Sequence, residues 1–170
     1  AYILVIVDSC TRWIELVPLK SVSAKEVVDA IVRLCCTYGL INTLITDNGT
    51  CFTAQLSQAL YDRLGINVRH SSPYHPEGNS LVERAIGTIK RMLHHVIHTS
   101  GKDKRGWHER LPFLAFAYRE VPRSATSLSP ARMVFGRTFR GPLSVLHDKM
   151  SGDTNQPSPA NPKVDEYIKR

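Results

Sequence analysis

No apolar run in the sequence approaches the roughly 20 residues that a membrane-spanning helix needs, so no such helix is expected. The opening stretch "AYILVIVD" lacks a basic flank and a cleavage site, and it reads as a strand rather than a signal peptide. The four cysteines, Cys10, Cys35, Cys36 and Cys51, show no CxxC spacing. That argues against a paired metal or redox motif and predicts buried, reduced thiols in an intracellular protein. Neither GxxxxGKS/T nor GxGxxG occurs, which removes nucleotide-hydrolysis readings. No internal repeat is visible.

What is present fits one globular domain: 170 residues, 42% hydrophobic and 22% charged, long enough to bury a core. The net charge of +7 is unevenly spread. Residues 1–68 carry five basic groups against six acidic ones, residues 69–110 eight against four, and residues 111–150 six against two. A basic second half suits a polyanionic partner, although many basic surfaces are merely solvated faces.

The pattern along the chain is β-rich, then α-rich. "YILVIV" (2–7) is a β-branched run expected of a strand covered on both faces, and the alternating "TRWIELVPL" (11–19) is its expected antiparallel neighbour. "SAKEVVDAIVRLCCTYG" predicts a helix with Ser23 and Glu26 in capping-box spacing and Gly39 at its stop. Strand 40–46, helix 53–65 capped by Thr53 and ended by Gly65, and strand 66–71 follow. Strands alternating with helices predict an α/β layer with parallel strands. Helices are expected over about 80–98, 107–120 and 128–135. Trp107, Phe113, Phe116 and Tyr118 read as core, with a dimer interface as the alternative. The Pro-rich, polar stretch 147–170 reads as an extended linker.

Two carboxylates stand out. Asp47 ends a strand in "LITDNGTCF", where Asp-Asn-Gly is strong turn chemistry but where α/β sheets also place ligand sites. Glu83 lies three residues after Ser80, the spacing of a capping box, and follows the stiff loop "SSPYHPEGN". A cap would aim Glu83 at its own helix terminus; a metal ligand would aim it at Asp47. Lys90, seven residues beyond Glu83, returns to within about 20° of the same helix face. Arg84 and Arg91 point elsewhere and suit solvation as well as contact. His94 and His98 share a helix face, yet without cysteine or carboxylate partners they do not read as a structural zinc site.

The run "TDNGTCFTA…GI…SSPYHPEGNSLVERAIGTIKRML" resembles the core domain of retroviral and LTR-retrotransposon integrases. With "FAYREVPRSATSLSPARMVFGRTFRGPLSVL" it is most similar to Gypsy-type elements, over residues 2–146. The resemblance implies a ribonuclease H-like α/β fold, a mixed sheet flanked by helices, in which two Asp and one Glu bind divalent metal. It makes Asp47 the second Asp and Glu83 the Glu. Asp8 aligns instead with a non-ligand acid at a turn, feeding Thr11 and Arg12. The first Asp, and the central first strand that carries it, are expected upstream of an amino-terminally truncated core.

The implied chemistry is DNA integration: water attacks near an element DNA end, and the freed 3′-hydroxyl then attacks a target phosphate. Such transfer uses two hard cations, Mg2+ or Mn2+, about 3.5–4 Å apart on oxygen ligands, and needs no covalent intermediate. This fragment alone is expected to be inactive. Tyr74, His75 and Asn79 of the loop and Lys90 of the helix are the candidate DNA contacts; Gly87 departs from a family position that is often basic. The implied partners are double-stranded DNA and further copies of the chain, with neither membrane nor nucleotide cofactor, in a nuclear or intracellular nucleoprotein particle. The alternative is a domesticated relative that binds DNA or protein without catalysis.

Overall fold

The computed structural model describes residues 2–70, 77–99, 104–123 and 126–151. They fall into two compact units, one built from the described residues within 2–7 and 15–114, the other from those within 8–14 and 115–151.

The first unit begins with β1 (Tyr2–Val7) and β2 (Ile14–Leu19), which pair. Their short connection admits only an antiparallel arrangement, as expected, since a parallel pair needs a crossover of a dozen or more residues. Helix α1 (Ala24–Tyr38) follows, ended at Gly39. Only half of its expected capping box forms. The Ser23 hydroxyl oxygen accepts from the Glu26 amide at 3.4 Å, but Glu26 reaches past Ser23 to accept from the amides of Lys20 (2.7 Å) and Ser21 (3.3 Å). The carboxylate thus fastens the loop leading out of β2 rather than closing the helix on itself.

Strand β3 (Thr43–Thr46) runs parallel to β4 (Asn67–His70), with Thr43 opposite Asn67 and Thr46 opposite His70. The crossover holds α2 (Thr50–Thr53) and α3 (Gln55–Leu64), so the single helix expected over 53–65 is two. Thr53 ends the first instead of capping the second, whose N-cap is Ala54. Gly65, at φ 65°, adopts the left-handed conformation that stops α3. Leu19, Val27, Ile31, Cys35, Cys51, Tyr61 and Ile66 form the core over this layer. Two thiols, Cys35 and Cys51, are buried as expected, but Cys10 and Cys36 are exposed.

Helix α4 (Glu77–Thr99) lies against both β1 and β3 and buries Ala85 and Ile89. The described strands make two separate pairs, β1–β2 and β3–β4, so each of these four strands has one edge unpaired by another described strand. This explains why the apolar β1, expected to be covered on both faces, is only half-buried, with Tyr2 exposed. The helix expected over 107–120 is a 3-10 segment (Lys104–Arg110) followed by α5 (Leu111–Glu120). Pro112 lacks an amide hydrogen and fits the first turn of an α-helix but not its interior. Leu111, Leu114, Ala115 and Tyr118 form its buried stripe, while Phe113, expected in the core, is 69% exposed.

In the second unit, Trp13 is the centre of an aromatic cluster, with Phe135 at 5.4 Å and Phe139 at 6.1 Å, both edge-on. The Arg119 guanidinium lies 4.0 Å over the indole and donates to the Ile14 carbonyl from Nε (2.9 Å) and Nη2 (2.7 Å). Helix α6 (Pro130–Phe135), expected over 128–135, has the caps its sequence asks for: Ser129 accepts from the Arg132 amide, and Pro130 occupies the first turn. Helix α7 (Pro142–Ser151) was not expected and carries helical backbone past residue 146. No helix among the described residues is long and apolar enough to cross a membrane.

Candidate functional site

Asp47 immediately follows β3, at the carboxyl end of the parallel pair, and is exposed. Its Oδ1 accepts from the Gly49 amide at 3.1 Å, so the turn chemistry of Asp-Asn-Gly is realised. The same bond fixes the direction of the carboxylate without enclosing it. A Cβ at Gly49 would sit 3.0 Å from that oxygen and 3.4 Å from the Phe52 ring, so the small residue lets the amide come close. Turn and ligand are therefore compatible readings of Asp47.

His70, which sequence reasoning passed over, lies directly across the strands. Thr46 Oγ1 donates to the Asp47 carbonyl at 2.9 Å and contacts His70 Nδ1 at 3.3 Å. Which of the two groups donates in that second contact is set by the imidazole tautomer. The signal that would have found His70 is the register Thr46↔His70, which depends on pairing across 24 residues.

Glu83 and Lys90 are both exposed on α4. The helix starts at Glu77, three residues before Ser80, which places Ser80 inside the helix, not at its cap. The capping-box reading of Glu83 is thereby overturned. The Ser80 carbonyl accepts from Arg84 Nε at 3.1 Å, as a side chain one turn on can reach. Lys90 borders a groove of about 390 Å³ whose walls include Ile3 and Val5 of β1 and Ile86, Ile89 and Leu93 of α4. Arg91 contacts the Thr88 hydroxyl at 3.5 Å on its own helix. Tyr74 and His75 lie outside the described residues, and of Asn79 only its place in the first turn of α4 is described.

Asp8 is engaged within its own turn. Its Oδ2 accepts from both the amide and the hydroxyl of Thr11 at 2.7 Å, and its carbonyl accepts from the Arg12 amide at 3.0 Å. It is the turn acid that the sequence predicted. Asp47 and Glu83 are exposed oxygen donors, the type that Mg2+ or Mn2+ takes, so the donor chemistry fits those ions. Among the described residues no group of three or more His, Cys, Asp or Glu is placed to hold a metal ion.

The integrase core domain model matches residues 1–76. The Pol polyprotein of Radiation murine leukemia virus (strain Kaplan) is 34% identical over 159 residues, covering 92% of this chain and 26% of that protein. The chain belongs to the retroviral and LTR-retrotransposon integrase cores. The catalytic core domain of BIV integrase superposes with a TM-score of 0.64 at 24% identity, covering 87% of this chain and 89% of that one. The HTLV-2 integrase catalytic core domain, solved in complex with magnesium in a trimeric form, gives 0.64 at 18% identity, over 76% and 82%. These likenesses establish the ribonuclease H-like fold of this integrase core. The chain spans only 8% to 26% of the first curated relatives' own lengths.

Proposed function

We propose that this integrase core is the catalytic part of a protein that processes element DNA ends and joins them to target DNA by metal-dependent polynucleotidyl transfer. The observation that carries the reading is Asp47, held by the Gly49 amide at the carboxyl end of β3 and left exposed. Asp47 and Glu83 are the residues that would hold Mg2+ or Mn2+. Bound there, the ions supply activation of the attacking oxygen and neutralisation of the leaving one. The Gly49 amide orients Asp47, and the Thr46–His70 contact ties the end of β3 to β4. Lys90 holds a DNA phosphate; Tyr74, His75 and Asn79 meet the DNA end. A third carboxylate comes from a strand seated between β1 and β3. The edges that β1 and β3 do not share with β2 and β4, and the helix α4 lying against both, support that placement. The affinity to Gypsy-type elements rests on the 116–146 segment. Work on DNA in a nuclear or nucleoprotein setting, by more than one copy of the chain, completes the proposal.

The test is strand transfer by the full-length protein containing this chain, with Mg2+ or Mn2+ and a labelled DNA end. Transfer that Glu83→Gln eliminates, with DNA binding retained, supports the reading. DNA binding by the unaltered protein without transfer under any divalent ion supports a domesticated binder and overturns it.

A further inference from the structure

The last two turns of α4 carry "HHVIH", and two of its imidazoles meet. The rings of His94 and His98 have centroids 4.1 Å apart at 42°, and both residues are exposed. They are one turn apart on one face, whereas His95 projects about 100° away. Neither lines the apolar groove, although their helical neighbours Leu93 and Ile97 do. Arg91, one turn before His94, is engaged by the Thr88 hydroxyl.

We infer that His94 and His98 form an open, two-ligand site for a borderline divalent transition metal. Zinc–imidazole bonds are about 2.0–2.1 Å, so two nitrogens on one ion lie no more than about 4.2 Å apart. With centroids 4.1 Å apart the two rings are close enough for side-chain rotation to turn one nitrogen of each toward a shared ion. Among the described residues no cysteine or carboxylate completes a closed site with them; the pair is an i, i+4 histidine site whose other coordination positions water would fill. Nitrogen donors select Cu2+ most strongly, with Ni2+ and Zn2+ behind it, and give no grip on Mg2+. The pair is thus chemically distinct from the oxygen donors Asp47 and Glu83. It is also remote along the helix, since eleven residues from Glu83 to His94 rise about 16 Å. Because the two ligands converge only in helical backbone, the ion binds and holds the end of α4 together.

The test is calorimetric titration of chain 1–170 with Zn2+ alone, repeated with Cu2+ and read by nitrogen hyperfine splitting. Even outer-shell partners of metal ligands cost about 10–100-fold when removed. His94→Ala and His98→Ala should therefore each weaken the tightest site by about tenfold or more, and the Cu2+ spectrum should drop from two nitrogens to one. His95→Ala should leave both readouts unchanged, and excess Mg2+ should not compete. All three substitutions lie at exposed helical positions and raise helix propensity, so the variants keep the fold. Equal losses in all three variants, or an unchanged isotherm in His94→Ala and His98→Ala, would overturn the site. None of these readouts depends on DNA transfer.

Discussion

Asp8 and Asp47 both follow strands of the same chain, yet their partners separate them. Asp8 spends one oxygen on two bonds to Thr11, and Asp47 spends one on the Gly49 amide. Replacing Asp8 by Ala should lower stability by about 1 kcal/mol, the usual net loss for such bonds, without touching the transfer site. Chemical denaturation of the variant against wild type measures it, and a loss of catalysis at unchanged stability would reverse the assignment. Asp8's role was legible because turn chemistry is local: acceptor and donors lie within four residues. The position of Glu83 was not, because Ser-x-x-Glu names a cap only where the helix begins. The loop's last residues join the helix at Glu77, and the cap disappears. His70 was invisible for a different reason: its partner Thr46 is set by strand register.

At the scale of the element, α4 is the part on which most of the proposed function rests, and its sequence contains one weakness. Gly87 sits in the middle of the helix, and a Cβ built there meets nothing within 4 Å. Gly87→Ala should stabilise the fold by up to about 1 kcal/mol, since alanine restores helix propensity without a clash. A fall in thermal midpoint would show an unseen packing role. Lys90, exposed and bordering the groove, is the cation of this helix proposed to hold a DNA phosphate. Lys90→Ala should weaken DNA binding and flatten its salt dependence by ~0.9 in log–log slope per lost phosphate contact. An unchanged slope measured across salt concentrations would remove Lys90 from the interface. The periodicity of α4 was easy to read. That of α5 was less so, because Pro112 shifts the α-helical start and turns Phe113 outward.

For the whole molecule, pH acts on two groups in opposite ranges. Desolvation opposes ionisation of Glu26, but the amides of Ser21 and Lys20 and the Ser21 hydroxyl outweigh it, so its pKa lies below the ordinary 4.5. A lowered folded-state value means stability that is present above 4.5 and lost as pH falls through the folded pKa. Burial pushes the Tyr61 phenol above its ordinary 10.0. Its contribution is present below about 10 and lost as pH rises beyond it. Thermal melts across pH should thus show an acid limb that Glu26→Gln shallows, and a limb above pH 10 from which Tyr61→Phe removes the phenol's share. Identical limbs in the variants would contradict both assignments. The parallel half of the α/β layer was legible from strand–helix alternation. In the second unit α6 and the Asp8 turn were legible locally, but the packing of Arg119 was not, since Arg119 and Ile14 are 105 residues apart and no local period links them. The structure shows that packing: Arg119, Phe135 and Phe139 gather around Trp13.

The measurement that bears most directly on the central claim is strand transfer by the full-length protein carrying Asp47→Asn, run beside DNA binding by the same sample. The substitution keeps the oxygen that accepts from Gly49 and removes the charge. Transfer should vanish while DNA affinity stays nearly unchanged. Transfer retained at the wild-type rate would contradict the assignment of Asp47, and with it the site.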